Sequence, residues 1–342
     1  MILSDFDFSL PQELIAQYPL EKREEARLLV LHRKTKKIEH RRFKDIVEYF
    51  KSNDVLVMNE TKVFPARLFG KKETGGKVEL LLVRKVKRDI WTVLIKPHKM
   101  VKIGTKIIFE NIDGEIVGRE DSGNYLVKFN YEGNFDATVD RIGTTPLPPY
   151  IKRAAEEEDK IYYQTVYAKQ RGAIAAPTAG LHFTEDIIKK INEKAKTVTI
   201  LLHIGLGTFK PIKSKTIGNH KMDKEYFEID EDTAYLINNA KREKERVFAV
   251  GTSSVRAIET AIKLIDRKWG IGTKRGWTEK FIYPPYEFKI VDALITNFHL
   301  PRSTPFLLVS AFATRELILE SYKEAIEKRY RFYSYGDAML IL

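Results

Sequence analysis

The spacing of apolar positions divides the chain into three textures. Residues 28–43, L-L-V-L-H-R-K-T-K-K-I-E-H-R-R-F, set an apolar run and an alternating run on either side of a basic turn, which predicts a hairpin. A helix is expected from Lys44 to Phe50, followed by a buried strand, D-V-L-V-M-N, that ends at Asn59. From Arg67 to Phe135 short runs such as K-V-E-L-L-L-V, W-T-V-L-I and Y-L-V-K-F alternate with E-T-G-G, N-I-D-G and D-S-G-N, the rhythm of an all-β module. Tyr125, Val127 and Phe129 make the period of two explicit. The module closes on P-L-P-P-Y (Pro146 to Tyr150), a stiff linker composition.

Beyond the linker, strands alternate with helices. Thr184 is placed as the N-cap of a helix whose first residues, Glu185 and Asp186, suit the helix dipole. Residues 197–209, T-V-T-I-L-L-H-I-G-L-G-T-F, read as a buried strand running into a glycine-rich loop. R-V-F-A-V-G-T-S-S-V-R-A-I-E-T (246–260) reads as strand, small polar turn and helix, and residues 292–313 repeat that plan. The expected fold is therefore a largely parallel-sheet α/β domain built from both chain ends, residues 1–65 and 150–342, carrying a small β-barrel inserted at 66–149. In such a sheet ligands bind beyond the carboxyl ends of the strands. The unusual residues of this chain fall at those ends.

Length and composition narrow the class. At 342 residues the chain exceeds one ordinary core, and its 43% hydrophobic content suffices for two. A mean hydropathy of -0.32 and the absence of a long apolar run exclude a transmembrane helix, and an N-terminus reading M-I-L-S-D-F-D-F does not suit a secretory signal, so a cytoplasmic protein without a membrane partner is expected. With no cysteine there is no disulfide, thiolate metal site or Cys nucleophile. The formal charge of +12 fits a polyanionic partner, although a Lys- and Glu-rich, Cys-free composition also marks heat adaptation.

Several motifs carry two readings. G-L-G-T-F, with Gly205 and Gly207, lacks the third glycine of a dinucleotide fingerprint and is equally a tight turn. G-T-S-S-V-R, with Thr252, Ser253, Ser254 and Arg256, opens a helix and suits an anion, or else Thr252 or Ser253 simply caps that helix. His182, His203 and His299 each end a strand or precede a helix beside Gly, Asn or Pro, which marks them as acid, base or hydrogen-bonding groups; no spacing among the histidines suits a metal, and none is expected. Asn59, Thr61 and Arg67 face a crevice or build a hinge. The C-terminal R-Y-R-F-Y-S-Y-G-D-A-M (329–339) is a stacking surface for nucleic acid or the packing of a last helix, and the basic residues between Arg33 and Lys44 touch RNA or form a solvated face.

Most specific is A-I-A-A-P-T-A-G-L-H-F-T (173–184), twelve residues without a charge in a chain that is 31% charged. Together with N-E-T-K-V-F-P-A-R-L, L-P-P-Y-I, Y-Q-T-V-Y-A, L-H-I-G-L-G-T-F-K-P, A-V-G-T-S-S-V-R-A-I-E-T, D-A-L-I-T-N-F-H-L-P-R-S-T and Y-G-D-A-M-L-I, it resembles the S-adenosylmethionine:tRNA ribosyltransferase-isomerases of queuosine biosynthesis nearly end to end. Two positions depart from that pattern. Glu60 stands where the family usually has Asp, and Asp223 where it has His.

The resemblance implies an α/β domain with a β-barrel insertion. It also implies transfer and isomerisation of the ribosyl part of S-adenosylmethionine onto a 7-aminomethyl-7-deazaguanine base at the tRNA wobble position, giving epoxyqueuosine-tRNA, adenine and methionine. S-adenosylmethionine is then consumed as substrate, tRNA is the partner, and a monomer is expected. His182, His203 and His299 become candidates for proton transfer. Ala176, Thr178, Gly180, Gly205, Gly207, Thr252, Ser253, Ser254, Arg256 and Asn297 become candidates for holding the cofactor, and Asn59, Thr61 and Arg67 for the RNA substrate. The competing class is a non-catalytic RNA-binding protein whose β module makes the contacts; it has no need of a concave apolar pocket at the strand ends.

Overall fold

The computed structural model describes residues 1–97, 101–121, 123–205, 207, 212–265 and 267–342. They form two compact units, residues 1–62, 149–153 and 164–342 in one, and residues 63–148 and 154–163 in the other.

The larger unit is built on a nine-stranded sheet. Its order is Lys274–Thr278, Glu225–Ile229, Lys196–Leu202, Val55–Asn59, Val247–Val250, Ala293–Asn297, Ala338–Ile341, Arg27–His32 and Lys37–Arg42. The four strands from Lys196–Leu202 to Ala293–Asn297 run parallel, as does the pair of Ala338–Ile341 with Arg27–His32; the remaining four pairings are antiparallel. The parallel arrangement expected throughout is thus confined mainly to the centre, and the sheet is mixed at its flanks. V-L-V-M-N, V-F-A-V and A-L-I-T-N are buried along their whole length because both faces of the centre are covered. Alternate residues serve the two sides: Val55, Val57, Val247 and Ala249 pack in one core, Leu56, Met58, Phe248 and Val250 in the other.

The smaller unit is a closed six-stranded antiparallel barrel formed by Arg67–Lys72, Lys77–Lys85, Ile90–Lys96, Lys106–Ile108, Ile112–Arg119 and Tyr125–Tyr131. Closure leaves no unpaired edge. The Phe135–Ile142 helix, capped by Asn134, lays Phe135 against Trp91 at 5.5 Å between ring centroids. Arg67 is spent within this unit, where its guanidinium binds Glu79 and donates to the Leu147 carbonyl at 3.0 Å.

At the carboxyl edge of the parallel strands the backbone leaves the sheet, and its polar groups need new partners. Asn59 supplies several of them. Its Nδ2 donates to the Leu202 carbonyl at 2.9 Å and to Ser253 Oγ at 3.2 Å, while its Oδ1 accepts from Leu202 N at 3.0 Å and Thr61 N at 3.2 Å. One fully buried amide therefore joins two neighbouring strands to the first turn of the helix that follows a third. Gly251, between the Val247–Val250 strand and that helix, has φ +84°, a conformation that strains any L side chain. The last residues of the loop after Lys196–Leu202, namely Leu206 and 208–211, lie outside the described residues.

Asn59→Ala strands the Leu202 N–H, the Leu202 carbonyl and the Thr61 N–H in a dry interior. It is expected to cost about 2–4 kcal/mol, read as a lower denaturant midpoint. Asn59→Asp, which keeps acceptors but loses the donor, is not expected to restore stability.

Candidate active site

A cavity of about 310 Å³ opens at this carboxyl edge, within the larger unit. That volume sits at the lower end of the range of small-molecule sites. One wall is the uncharged stretch, through Ala175, Ala176, Pro177, Thr178 and Ala179; a second is the start of the Gly251–Thr260 helix with Thr252, Ser253 and Arg256. The end of Ala293–Asn297 and the chain beyond it, with Thr296, Asn297, Phe298 and His299, make a third. Pro149, Tyr150, Tyr333 and Ser334 close the space, and Tyr150 stacks on Tyr333 with centroids 4.4 Å apart.

The sequence candidates divide accordingly. Ala176, Thr178, Thr252, Ser253, Arg256, Asn297 and His299 line the cavity. Gly180 does permit close approach, but of protein: a Cβ there would stand 2.0 Å from the Tyr167 hydroxyl. Ser254 is turned away, its hydroxyl donating to the Val250 carbonyl at 2.7 Å. Gly205 and Gly207 are also outside the wall, and Gly205 N donates to Glu225 Oε1 at 2.8 Å. Asn59 is consumed as the strand clip.

His203 and Thr61 are also off the cavity. They bond each other, Nδ1 to Oγ1 at 2.8 Å, and the His203 ring lies over Tyr226 and would meet any Cβ at Gly172. The aromatics of 329–339 are buried, which realises the packing alternative for that segment. Residues 37–42 form the outer strand of the hairpin and are largely open to solvent.

Neither Thr252 nor Ser253 caps the 251–260 helix. The N-cap position is Val250, which offers no side-chain acceptor, so the first turn faces the cavity without a capping oxygen. Arg256 follows in the next turn of the same helix. Its Nη1 binds Glu225, its Nε donates to the Lys280 carbonyl at 2.9 Å, and its buried Nη2 has no hydrogen-bond partner among the described residues. Asn297 Oδ1 and the Tyr333 hydroxyl are in the same condition. Buried polar atoms without partners are uncommon in folded proteins. All three belong to residues that line the cavity.

The histidines are held neutral. His182 is deeply buried and not on the wall; burial first, then the nearby Arg331 and Arg23 charges, push its pKa down to about 3, against an opposing hydrogen bond to the Arg23 backbone. His299 is brought down to about 3 by burial alone, with Nε2 at 3.2 Å from Thr296 Oγ1 and Nδ1 at 3.4 Å from the Tyr322 hydroxyl. Burial lowers His203 as well, partly offset by Glu228. Among the described residues no group of three or more His, Asp or Glu side chains is placed to hold a metal.

Glu225 escaped notice in the sequence, although it carries a signal. In E-Y-F-E-I the residues sharing its face are Phe227 and Ile229, both buried, so a charged residue occupies an inward position of an alternating strand. Tyr150 and Tyr333 were hidden inside segments that read as linker and as terminal packing.

A mixed α/β unit that encloses an arginine, a neutral imidazole and a row of small residues at its strand ends has the architecture of an enzyme for a small polar substrate. The comparisons sharpen that class. A family model described as "Queuosine biosynthesis protein" matches residues 3–341. The S-adenosylmethionine:tRNA ribosyltransferase-isomerases of Caldanaerobacter subterraneus subsp. tengcongensis and of a Thermoanaerobacter species are each 50% identical, over 99% of both chains. A crystal structure of S-adenosylmethionine tRNA ribosyltransferase from Thermotoga maritima is 37% identical, covers 99% of this chain and 100% of its own, and superposes with a TM-score of 0.55. The chain belongs to the queuosine biosynthesis protein family.

Two outcomes follow from the site. Glu225→Gln leaves the Arg256 charge buried without its counter-ion and is expected to cost about 3–5 kcal/mol in unfolding experiments, whereas Glu225→Gln combined with Arg256→Met recovers most of the loss. For His182 and His299 the folded pKa lies below the ordinary 6.5, so between about pH 3 and 6.5 the unfolded chain binds protons that the native chain refuses. Their contribution is complete above pH 6.5 and is lost as pH falls, at up to about 1.4 kcal/mol per pH unit for each ring. His299→Gln should make the acid limb of a stability–pH profile shallower.

Proposed function

We propose that this protein is an S-adenosylmethionine:tRNA ribosyltransferase-isomerase and that the strand-end cavity holds S-adenosylmethionine as substrate. The observation that carries the site assignment is the trio of buried polar atoms without partners among the described residues, Arg256 Nη2, Asn297 Oδ1 and the Tyr333 hydroxyl, on residues that line the same cavity. A guanidinium one turn into an uncapped helix suits the methionine carboxylate. The small residues 175–179 let a ribosyl group lie against backbone.

The sulfonium acidifies the adjacent ribose carbon, so a base in reach can take a proton there; adenine then leaves with a proton, the aminomethyl group of the tRNA base attacks as a neutral amine, and methionine departs with the electron pair of the broken carbon–sulfur bond. His299 is the imidazole that lines the cavity, and its burial keeps it unprotonated. We assign the proton transfer to it rather than to His182 or His203, which do not line the cavity. The non-catalytic RNA-binding alternative leaves the enclosed polar atoms without a purpose.

With tRNA bearing the 7-aminomethyl-7-deazaguanine base, the protein is expected to release free adenine from S-adenosylmethionine. His299→Ala should lower kcat by about 10²–10⁴-fold while His203→Ala stays much closer to the parent. Formation of S-adenosylhomocysteine instead of adenine would overturn the proposal.

A further inference from the structure

We infer that His182 is a positioning residue that locks the Asn297 amide, so that Asn297 Oδ1 with the Tyr333 hydroxyl reads the amino-substituted edge of adenine. This rests on the proposal that the cavity holds S-adenosylmethionine.

The orientation of the Asn297 amide follows from its neighbours. Nδ2 lies 3.1 Å from the Tyr333 backbone carbonyl, which can only accept, so that atom must be the nitrogen. Its second proton points at His182 Nε2, also 3.1 Å away, and a neutral ring accepts there while carrying its own proton on Nδ1. Both amide protons are thereby spent. The carbonyl end has one direction left, and Oδ1 is buried there with no partner among the described residues. Were His182 charged, Nε2 would become a donor facing a donor. The burial that keeps the ring neutral, reinforced by Arg331 and Arg23, is what holds the lock in place.

The Tyr333 hydroxyl supplies the second half of the pair. Burial raises its pKa, so it keeps its proton and can donate. Asn297 and Tyr333 both line the cavity, and an acceptor on one with a donor on the other match the 6-amino group and ring nitrogen N1 of adenine, respectively. Beside them the Tyr150 ring, stacked on Tyr333 at 4.4 Å, presents flat apolar surface suited to a planar base. The amino acid end of the substrate is a poor candidate for this place, because its ammonium would be buried among neutral groups, whereas Glu225 and Arg256 offer charge elsewhere in the wall. His182 thus acts through Asn297 and does not touch substrate.

The test compares binding of S-adenosylmethionine with that of its inosyl counterpart, in which oxygen replaces the 6-amino group, by isothermal titration calorimetry. The parent protein is expected to prefer the adenosyl form by about a hundredfold or more, since the oxygen would face Oδ1, acceptor to acceptor. His182→Phe, which fills the space without accepting a hydrogen bond, should reduce that preference to below about tenfold, and Asn297→Ala should bring it near one. Thermal melting of each variant establishes that it is folded, and the parent protein's ratio tests the reading edge whatever the variants do. Equal affinity of the parent for the two ligands would overturn the inference while leaving the S-adenosylmethionine site standing. Preference unchanged in folded His182→Phe would remove His182 from it. No binding of S-adenosylmethionine itself would sink both the inference and the reading beneath it.

Discussion

Everything at the active edge of this protein depends on how a set of parallel strands is brought to an end. Parallel pairing places the carboxyl ends of Lys196–Leu202, Val55–Asn59, Val247–Val250 and Ala293–Asn297 on one side of the sheet, where each chain must turn away and its amide and carbonyl groups must find partners. Asn59 resolves the problem for two strands and a helix start with a single side chain. Gly251 turns the chain at the end of a third by adopting a backbone conformation that strains an L side chain. The cavity exists because these solutions are compact: a side chain that reached across the gap to do the same work would have filled it.

Much of this was legible in the amino-acid sequence. The strands ending at Asn59, Val250 and Asn297 stand out as short, mostly apolar runs, and the barrel as evenly punctuated alternation, because burial on both faces and burial on one face leave different periodicities. The uncharged stretch 173–184 stood out for its composition alone, and the part of it that lines the cavity is 175–179. What stayed hidden is what depends on pairs of residues far apart in the chain. Glu225 and Arg256 form an ion pair with side chains 2% and 9% exposed, yet thirty-one positions separate them and neither announces the other. Sheet direction at the flanks was equally out of reach, because alternation does not reveal which neighbour a strand will choose.

The histidines show how a shared signal can conceal different work. All three follow strands or precede helices beside small or polar residues, and all three are held below the ordinary imidazole pKa by burial. Only the three-dimensional neighbours distinguish them. His299 faces the cavity, His203 is turned to Thr61 and Tyr226, and His182 spends one nitrogen on an amide that does face it. Similarly, Gly180 and Ser254 sit within well-marked motifs but serve packing against Tyr167 and the Val250 carbonyl.

The arginine of the cavity arrives already partnered. A guanidinium presented alone in a dry enclosure would grip a carboxylate so firmly that a spent amino acid would linger and block the next round. With Glu225 bound to the same cation, the carboxylate proposed to reach Arg256 would gain only the surplus of the attraction. An enzyme that breaks its substrate into several pieces must let each one go, and on the proposed assignment a counter-ion built into the wall loosens the hold on the departing acid.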